Sequence, residues 1–334
     1  MSELRKDPVV DRWVIIARER GKRPSDFAGF DANKPKGFCP FCPGNEDVVP
    51  PEVLAYRKPG SKPNGPGWRL RVVPNKFPAL KDEEQLYRHG NGMYDMMNGV
   101  GLHEVIIETP DHESTLSTMP AYGVEDVLWA YRDRLEALAE DKRFQSVIIF
   151  KNQGMAAGAT LEHSHSQLIA LPIIPKQIKE ELAGAKKYYD YKERCIFCDI
   201  VDQESSQQNR IVCENQDYIA ICPYAPRFPF EIWIIPRTHS AHYQKTSKEK
   251  IESLSIILSE TLKRLDVVLD IPPYNFVLHS APFRQDVDKH FHWHLEIMPK
   301  LTRIAGFEWG SGFHINPTPP EESAKYLREA KIID

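Results

Sequence analysis

The sequence predicts an α+β protein built from two tandem related modules, each with a mostly antiparallel sheet and one long helix. Three observations lead there. Four short pieces recur in the same order in both halves of the chain. Val/Ile-rich runs of strand length are scattered through both halves. Each half also holds one long stretch of helical spacing. Strands interrupted by a single helix favour an antiparallel α+β layer rather than a βαβ sheet.

The repeat comes first because it decides the architecture. CPFCPGNE (39–46) has a counterpart in CIFCDIVDQE (195–204), and HEVIIETPDHES (103–114) in FEIWIIPRTHSAH (230–242). FQSVIIFKNQG (144–154) resembles PYNFVLHSAPF (273–283), and HSHSQLIALP (163–172) resembles HWHLEIMP (292–299). Every piece carries a Cys or His or flanks one. The expected division is a module over 1–190 and a second over 191–334.

The Val-Ile-Ile runs at 14–16, 105–107 and 147–149 and the Phe-Glu-Ile-Trp-Ile-Ile run read as buried strands. Val124, Val127, Leu128, Tyr131, Leu135 and Leu138 share one helical face, as do Ile251, Leu254, Leu258, Leu262 and Leu265. Thr246 and Glu249 are expected to form a capping box for the second of these helices. A third helix is expected over Glu321–Lys331. The prolines cluster in 24–66 and 223–236, which predicts long ordered loops there.

The chain has 334 residues, 41% hydrophobic and 27% charged, with a net charge of −4. These values suit a globular protein and give no overall attraction to nucleic acid or an anionic membrane. No apolar run reaches bilayer length and the N-terminus lacks a signal-like core, so a cytoplasmic location is expected. In that compartment the six cysteines stay reduced, and paired cysteines are better used on metal.

Two C-x-x-C pairs, each followed by matched histidines, supply two sets of four donors. Cys39, Cys42, His112 and His163 are assigned to one structural zinc, and Cys195, Cys198, His239 and His292 to another. Cys213 and Cys222 sit in strand-like apolar runs and read as core residues. In the stretch from His163 to Gln167, alternation puts His163, His165 and Gln167 on one face. If His163 binds metal, His165 stands one step along with its ring free. A neutral imidazole attacks phosphorus well. Gln167 can donate an amide N–H to a phosphoryl oxygen as charge builds there.

The His-x-His-x-Gln stretch after FKNQGMAAGATLE, with CPFCPGNE, VVPNKFPAL and TPDHESTL, resembles the galactose-1-phosphate uridylyltransferase family. The resemblance runs from DPVVDRWVIIARERGKRP to GFEWGSGFHINP. It implies two fused histidine-triad modules and a homodimer. It also implies transfer of a nucleoside monophosphate between a nucleotide sugar and a sugar 1-phosphate through a nucleotidyl-histidine. By position His165 is the implied nucleophile and Gln167 the phosphate-orienting residue. Arg20, Arg23, Asn152 and Thr160 fall on the phosphate side, Asn75 and Phe77 on the nucleotide side, and Phe307 and Glu308 on the hexose side.

Some positions depart from that family. Ser164 stands where the uridylyltransferases carry proline, Lys76 replaces an acid and Phe307 a tyrosine. His314 and Asn316 occupy the region where a glutamine is expected after Glu308. HSHSQ and GSGFHINP look more like a relative that uses ADP-glucose and phosphate. The first expectation is nonetheless UDP-glucose with galactose 1-phosphate, with the ADP-sugar phosphorylase reading second. The family's other ligand pattern would put a second metal on Glu181, His279, His292 and His294, ranked below the Cys-containing set. His294 matches His165, but Glu296 replaces Gln167, so a single active site is expected, with Glu296 or Glu308 turned toward sugar hydroxyls. A simple triad hydrolase would carry a third histidine at Gln167. A zinc-ribbon nucleic-acid module would need a basic patch that the chain lacks.

Overall fold

A computed structural model describes residues 2–21, 23–27, 37–82 and 85–332. The chain opens with a hairpin, β1 (Glu3–Lys6) and β2 (Trp13–Ile16). β3 (Leu54–Arg57) and β4 (Trp68–Pro74) precede an exposed hairpin, β5 (Arg88–Asn91) and β6 (Tyr94–Met97). Then come β7 (Leu102–Ile107), α1 (Ala121–Ala139), β8 (Ser146–Gln153) and β9 (His165–Leu171). Two helices follow, α2 (Lys176–Lys192) and α3 (Ile196–Gln207). The second half runs β10 (Ile211–Glu214), β11 (Tyr218–Ile221), β12 (Ile232–Pro236), α4 (Lys248–Leu269), β13 (Tyr274–His279) and β14 (His294–Pro299). It ends with α5 (Gly306–Ser311), β15 (His314–Asn316) and α6 (Pro320–Arg328).

Ten strands form one antiparallel sheet in the order β10-β11-β12-β14-β13-β8-β9-β7-β4-β3. Read outward from its centre, the two halves give the same series. Phe150 lies opposite Gln167, Val277 opposite Glu296, and Phe150 opposite Val277. Equivalent residues of the repeat therefore face one another, and a pseudo-twofold axis passes through that pair. The mostly antiparallel α+β reading is borne out.

Helices α1 and α4 cover one face of the sheet. The helical stripes expected from spacing are the buried ones in both. They pack on Leu70, Val72, Ile106, Leu168, Phe276 and Leu295. Deleting one such side chain, Leu258 for example, costs about 2–5 kcal/mol through lost burial and a residual cavity. The expected capping box is not formed. Thr246 Oγ1 donates to the Tyr243 carbonyl at 2.6 Å, and Ser247 is the N-cap of α4. The expected third helix is α6, starting and ending slightly earlier than Glu321–Lys331.

The expectation of one long helix per half is incomplete, because α2 and α3 lie between the two sets of strands. α2 buries only Ile178, Glu181 and Ala185, too thin a stripe for periodicity to reveal. With α3 it covers the other face of the second half, where Ile196, Phe197 and Val201 meet Ile219, Trp233 and Ile235. Among the described residues no helix gives the first half such cover. Its other face carries a small cluster of Phe41, Trp68, Val73, Val105 and Ile107. β15 pairs in parallel with β2, so the end of the chain returns to its beginning.

The segment after β1 presses closely on α2. A Cβ at Gly184 would stand 1.7 Å from the Val9 carbonyl oxygen. That segment is held by Asp7, which accepts the Val9 N–H at 2.9 Å and pairs with Arg12 at 2.6 Å. Gly184→Ala should therefore lower the unfolding free energy by about 1–3 kcal/mol, the usual cost of overpacking. A urea midpoint equal to that of the parent protein would contradict this close approach.

Candidate active site

The face of the first half away from α1 is built around β9. Alternation sends His165 and Gln167 to that face and Ser166 to the α1 side. His163, just before the strand, points its Nδ1 at Cys39 Sγ (3.7 Å) and Cys42 Sγ (3.6 Å). His112 Nδ1 lies 3.3 Å from Cys42 Sγ. The four donor atoms lie within 4.8 Å of one another and could hold a metal ion. His163 Nε2 is 2.7 Å from the Thr109 carbonyl. A carbonyl only accepts, so Nε2 carries the proton and the bare Nδ1 faces the sulfurs. That is the tautomer a metal ligand needs. Burial and the Cys39 sulfur push the Cys42 thiol up to about 11, so two thiolates here call for a cation.

Cys195, Cys198, His239 and His292 form a second four-donor group of the same spread. Cys195 is the residue just before α3, which brings Cys198 one turn along. Cys198 Sγ stands 3.4 Å from His239 Nδ1 and 3.7 Å from His292 Nδ1. His239 Nε2 donates to the Asp288 carbonyl at 2.6 Å, again freeing Nδ1. The Cys198 thiol and the two rings draw Cys195 far down, while Cys195 drives Cys198 up. Four protein donors in each group would suffice for a closed structural metal site.

His165 Nδ1 lies 2.8 Å from the His163 carbonyl, so it donates there and leaves Nε2 as the bare, reactive nitrogen. Burial and the nearby Lys151 charge lower its pKa, which keeps the ring neutral near pH 7. Gln167 Oε1 is 2.8 Å from His103 Nε2. Behind the strand is a fully buried polar cluster. Lys151 Nζ donates to Glu108 (2.7 Å), Ser164 Oγ (3.0 Å) and the His165 carbonyl (3.1 Å). Ser164 and Ser166 hydroxyls donate to the two Glu108 oxygens at 2.6 and 2.5 Å, and Tyr131 reaches Ser166 at 2.6 Å. Burial would raise Glu108, but Lys151 and the two serines outweigh it and hold the carboxylate ionised.

The remaining residues singled out from sequence do not all gather here. Asn75 lies against the His103 ring, and Phe77 is 83% exposed. Asn152 Oδ1 accepts from Asn275 across the β8–β13 pair at 2.8 Å. Thr160 is exposed in the loop before β9. Arg20 and Arg23 are exposed beyond β2, whereas Phe307 and Glu308 sit on α5 before β15. Because β2 and β15 run parallel, these two groups leave that small sheet from opposite ends. Glu308 Oε2 accepts the Ala305 N–H at 3.1 Å as part of the α5 cap. No hydrogen bond or ion pair among the described residues links these four to His165. Cys213 and Cys222 are buried, as expected.

His294 is shut in. It is 1% exposed and stacks on His279 with ring centroids 4.7 Å apart. His279 Nδ1 pairs with Glu181 at 3.0 Å and its Nε2 with Glu296 at 3.3 Å. Arg227 bonds both Glu231 and Glu296. The expectation that Glu296 turns toward sugar hydroxyls is therefore corrected: a buried guanidinium and imidazole hold it. Glu181, His279 and His294 also form a compact donor group, but His292 belongs to the cysteines and not to them. Sequence reasoning had no partner for His103 and missed Lys151, Glu108 and Arg227. Apart from the Arg227–Glu231 pair, four residues apart, their partners are distant in the chain; alternation from Val105 and Ile107 places His103 on the His165 face.

Burial alone would lower the His279 pKa, but the Glu181 and Glu296 carboxylates push it up to about 10. A raised pKa contributes stability that is complete below the unfolded value of 6.5 and lost as pH rises through about 10. His279→Gln should thus be destabilised most near pH 6, with the deficit shrinking toward pH 10 by up to about 1.4 kcal/mol per unit. Urea unfolding of both proteins across that range checks it. A deficit independent of pH would refute the ion-pair account.

Residues 1–175 match the model of the galactose-1-phosphate uridyl transferase N-terminal domain, and residues 181–319 match that of the C-terminal domain. ADP-glucose phosphorylase of Arabidopsis thaliana is 38% identical over 337 residues, covering 99% of this chain and 93% of its own. Galactose-1-phosphate uridylyltransferase of Thermotoga maritima is 31% identical over 341 residues, covering 99% of both. The crystal structure of an ADP-glucose phosphorylase from Arabidopsis thaliana with bound ADP-glucose matches with a TM-score of 0.83 at 35% identity, covering 99% of this chain and 100% of that one. The chain thus belongs to the galactose-1-phosphate uridyl transferase family, has its two-module histidine-triad-like fold, and is a nucleotidyltransferase.

Proposed function

We propose that the chain moves a nucleoside monophosphate from a nucleotide sugar to a phosphate-bearing acceptor through a nucleotidyl group on His165. The bare Nε2 of His165, set by the Nδ1–H bond to the His163 carbonyl, carries the reading. Nε2 attacks the α-phosphorus, the bond to the bridging oxygen breaks, and sugar 1-phosphate leaves. An acceptor phosphate oxygen then attacks the same phosphorus, and the P–N bond breaks to restore the ring. Nδ1 keeps its proton throughout, so the nucleotidylated ring is cationic and a good leaving group. Gln167 donates its amide N–H to a phosphoryl oxygen as negative charge develops.

The donor and acceptor are proposed as ADP-glucose and inorganic phosphate. The 38% identity to the Arabidopsis phosphorylase supports this. So does Ser164, which is tied to Glu108 and Lys151 in the position where the uridylyltransferases carry proline. This reverses the order expected from sequence alone. UDP-glucose with galactose 1-phosphate is the second reading, supported by the 31% identity to the Thermotoga enzyme. Asn152, Thr160, Arg20 and Arg23 are proposed on the phosphates, Asn75 and Phe77 at the nucleoside, and Phe307 and Glu308 at the hexose. Two functional modules, 1–190 and 191–334, a homodimer and a cytoplasmic location complete the proposal. No helix among the described residues is long and apolar enough to cross a membrane.

Each donor labelled at the α-phosphate should be incubated with the protein. ADP-glucose should leave acid-labile, base-stable label, and phosphate should discharge it. His165→Gly should lose the label and keep its metal. Full turnover in that variant would overturn the role of His165. Label from UDP-glucose alone, discharged by galactose 1-phosphate, would select the second reading.

Zinc is proposed at both four-donor groups, on the tautomers and sulfur pairs described above. When bound it would fix the strand and loop geometry around His165 rather than activate water. Metal analysis should find about two equivalents per chain, from two closed four-ligand sites. One equivalent, with Cys195 and Cys198 freely alkylated in native protein, would remove the second site.

A further inference from the structure

We propose that His103 is a positioning residue that fixes which end of the Gln167 amide faces the reacting phosphoryl group. The inference rests on the nucleotidyl-transfer reading and deepens it. A glutamine amide has a donor end and an acceptor end of nearly equal shape. Half a turn about its last torsion exchanges them. With the oxygen toward an anionic phosphoryl group, the residue would repel the charge it is meant to stabilise. Something must hold the amide one way round.

His103 lies on β7, diagonal to Gln167 across the β7–β9 pair, where its direct neighbour is Ile169. Its Nδ1 stands 3.2 Å from the Ala79 backbone nitrogen. A backbone N–H only donates, so Nδ1 is the bare nitrogen and Nε2 carries the proton. That Nε2–H lies 2.8 Å from Gln167 Oε1. The acceptor end of Gln167 is thereby held on His103, and its two N–H bonds are free for the face of β9 that carries His165. Asn75 Nδ2 also stands 3.2 Å from His103 Nε2, but both atoms are donors and the Ala79 contact decides between them. Asn75 steadies the ring by another route. Its backbone N–H donates to the His103 carbonyl at 2.8 Å, and its Oδ1 accepts the Phe77 N–H at 2.8 Å. His103 therefore ties the Asn75–Ala79 turn to the glutamine on the neighbouring strand.

The test is a double-mutant cycle on single-turnover labelling by ADP-glucose and UDP-glucose carrying label at the α-phosphate. His103→Phe keeps a ring and loses both nitrogens. It should slow labelling about ten- to a hundredfold, part of the effect of removing a charge-stabilising donor, with half-saturation nearly unchanged. In a Gln167→Ala background the same change should slow it by less than about twofold, since the amide it orients is gone. His103→Gln, whose own N–H can reach the same oxygen, should recover part of the rate and confirms that the ring is not needed for folding. Equal slowing on both backgrounds, or a rise in half-saturation alone, would overturn the positioning role. Wild-type protein that takes label from neither donor would overturn the nucleotidyl-transfer reading beneath it.

Discussion

The site depends on one backbone carbonyl, that of His163. The His163 ring is fixed at both ends, by Thr109 at Nε2 and by the cysteine and histidine donors around Nδ1. Its carbonyl then accepts the Nδ1–H of His165. The tautomer of the proposed nucleophile is thus set through two residues of extended backbone by the group that would hold the metal. A closed four-donor cluster suits this task. Bound to a metal it would rigidify the loop and the strand, and its lack of an open position is no loss, because the proposed chemistry lies two residues further on.

The second half repeats this framework and closes it. Its candidate metal donors match in kind and number, and His294 Nδ1 again faces the carbonyl two residues back, at 3.1 Å. What differs is the cover. α2, α3 and the Asp7–Arg12 segment lie over this face of the second half, and His294 is 1% exposed against 7% for His165. Burial and the cationic His279 beside it lower the His294 pKa to about 4, and its ring lies flat on His279. A nucleophile needs access to phosphorus, and His294 has none. Replacement of the glutamine by Glu296 follows the same logic. A buried carboxylate there is stabilised by Arg227 and His279, which neutralise it.

What could be read from the sequence was periodic or local. The stripes of α1 and α4, the strand runs and the cysteine pairs all carry their signal within a few residues. The pairing of the C-x-x-C motifs with histidines was legible because the repeat supplied the long-range correspondence. Contacts without a repeat to report them stayed hidden. His103 and Gln167 are 64 residues apart, and Lys151 and Glu108 are 43 apart. α2 was hidden because its buried face includes Glu181, whose partner is a histidine nearly a hundred residues on. The capping box failed for a local reason. The Thr246 hydroxyl had a nearer carbonyl, at Tyr243, and the helix began one residue later.

Ser164 shows how a departure from the family pattern is absorbed. Proline at that place would stiffen the chain between the two histidines by fixing φ. Serine does not, and the stiffness must come from elsewhere. Here it comes from Lys151 and Glu108, which grip the serine hydroxyl and the His165 carbonyl from the covered side of the sheet. A buried ion pair is costly to desolvate, and a well-packed apolar pair would be as stable or more so. This pair is surrounded by donors and acceptors from Ser164, Ser166 and Tyr131, so each buried polar atom of Glu108 has a partner. Such a cluster has one low-energy arrangement, because moving any member strands another without a hydrogen bond. The strand bearing His165 is therefore held from behind by polar bonds and from its end by the metal donors, and the ring keeps a single orientation without a proline to impose it.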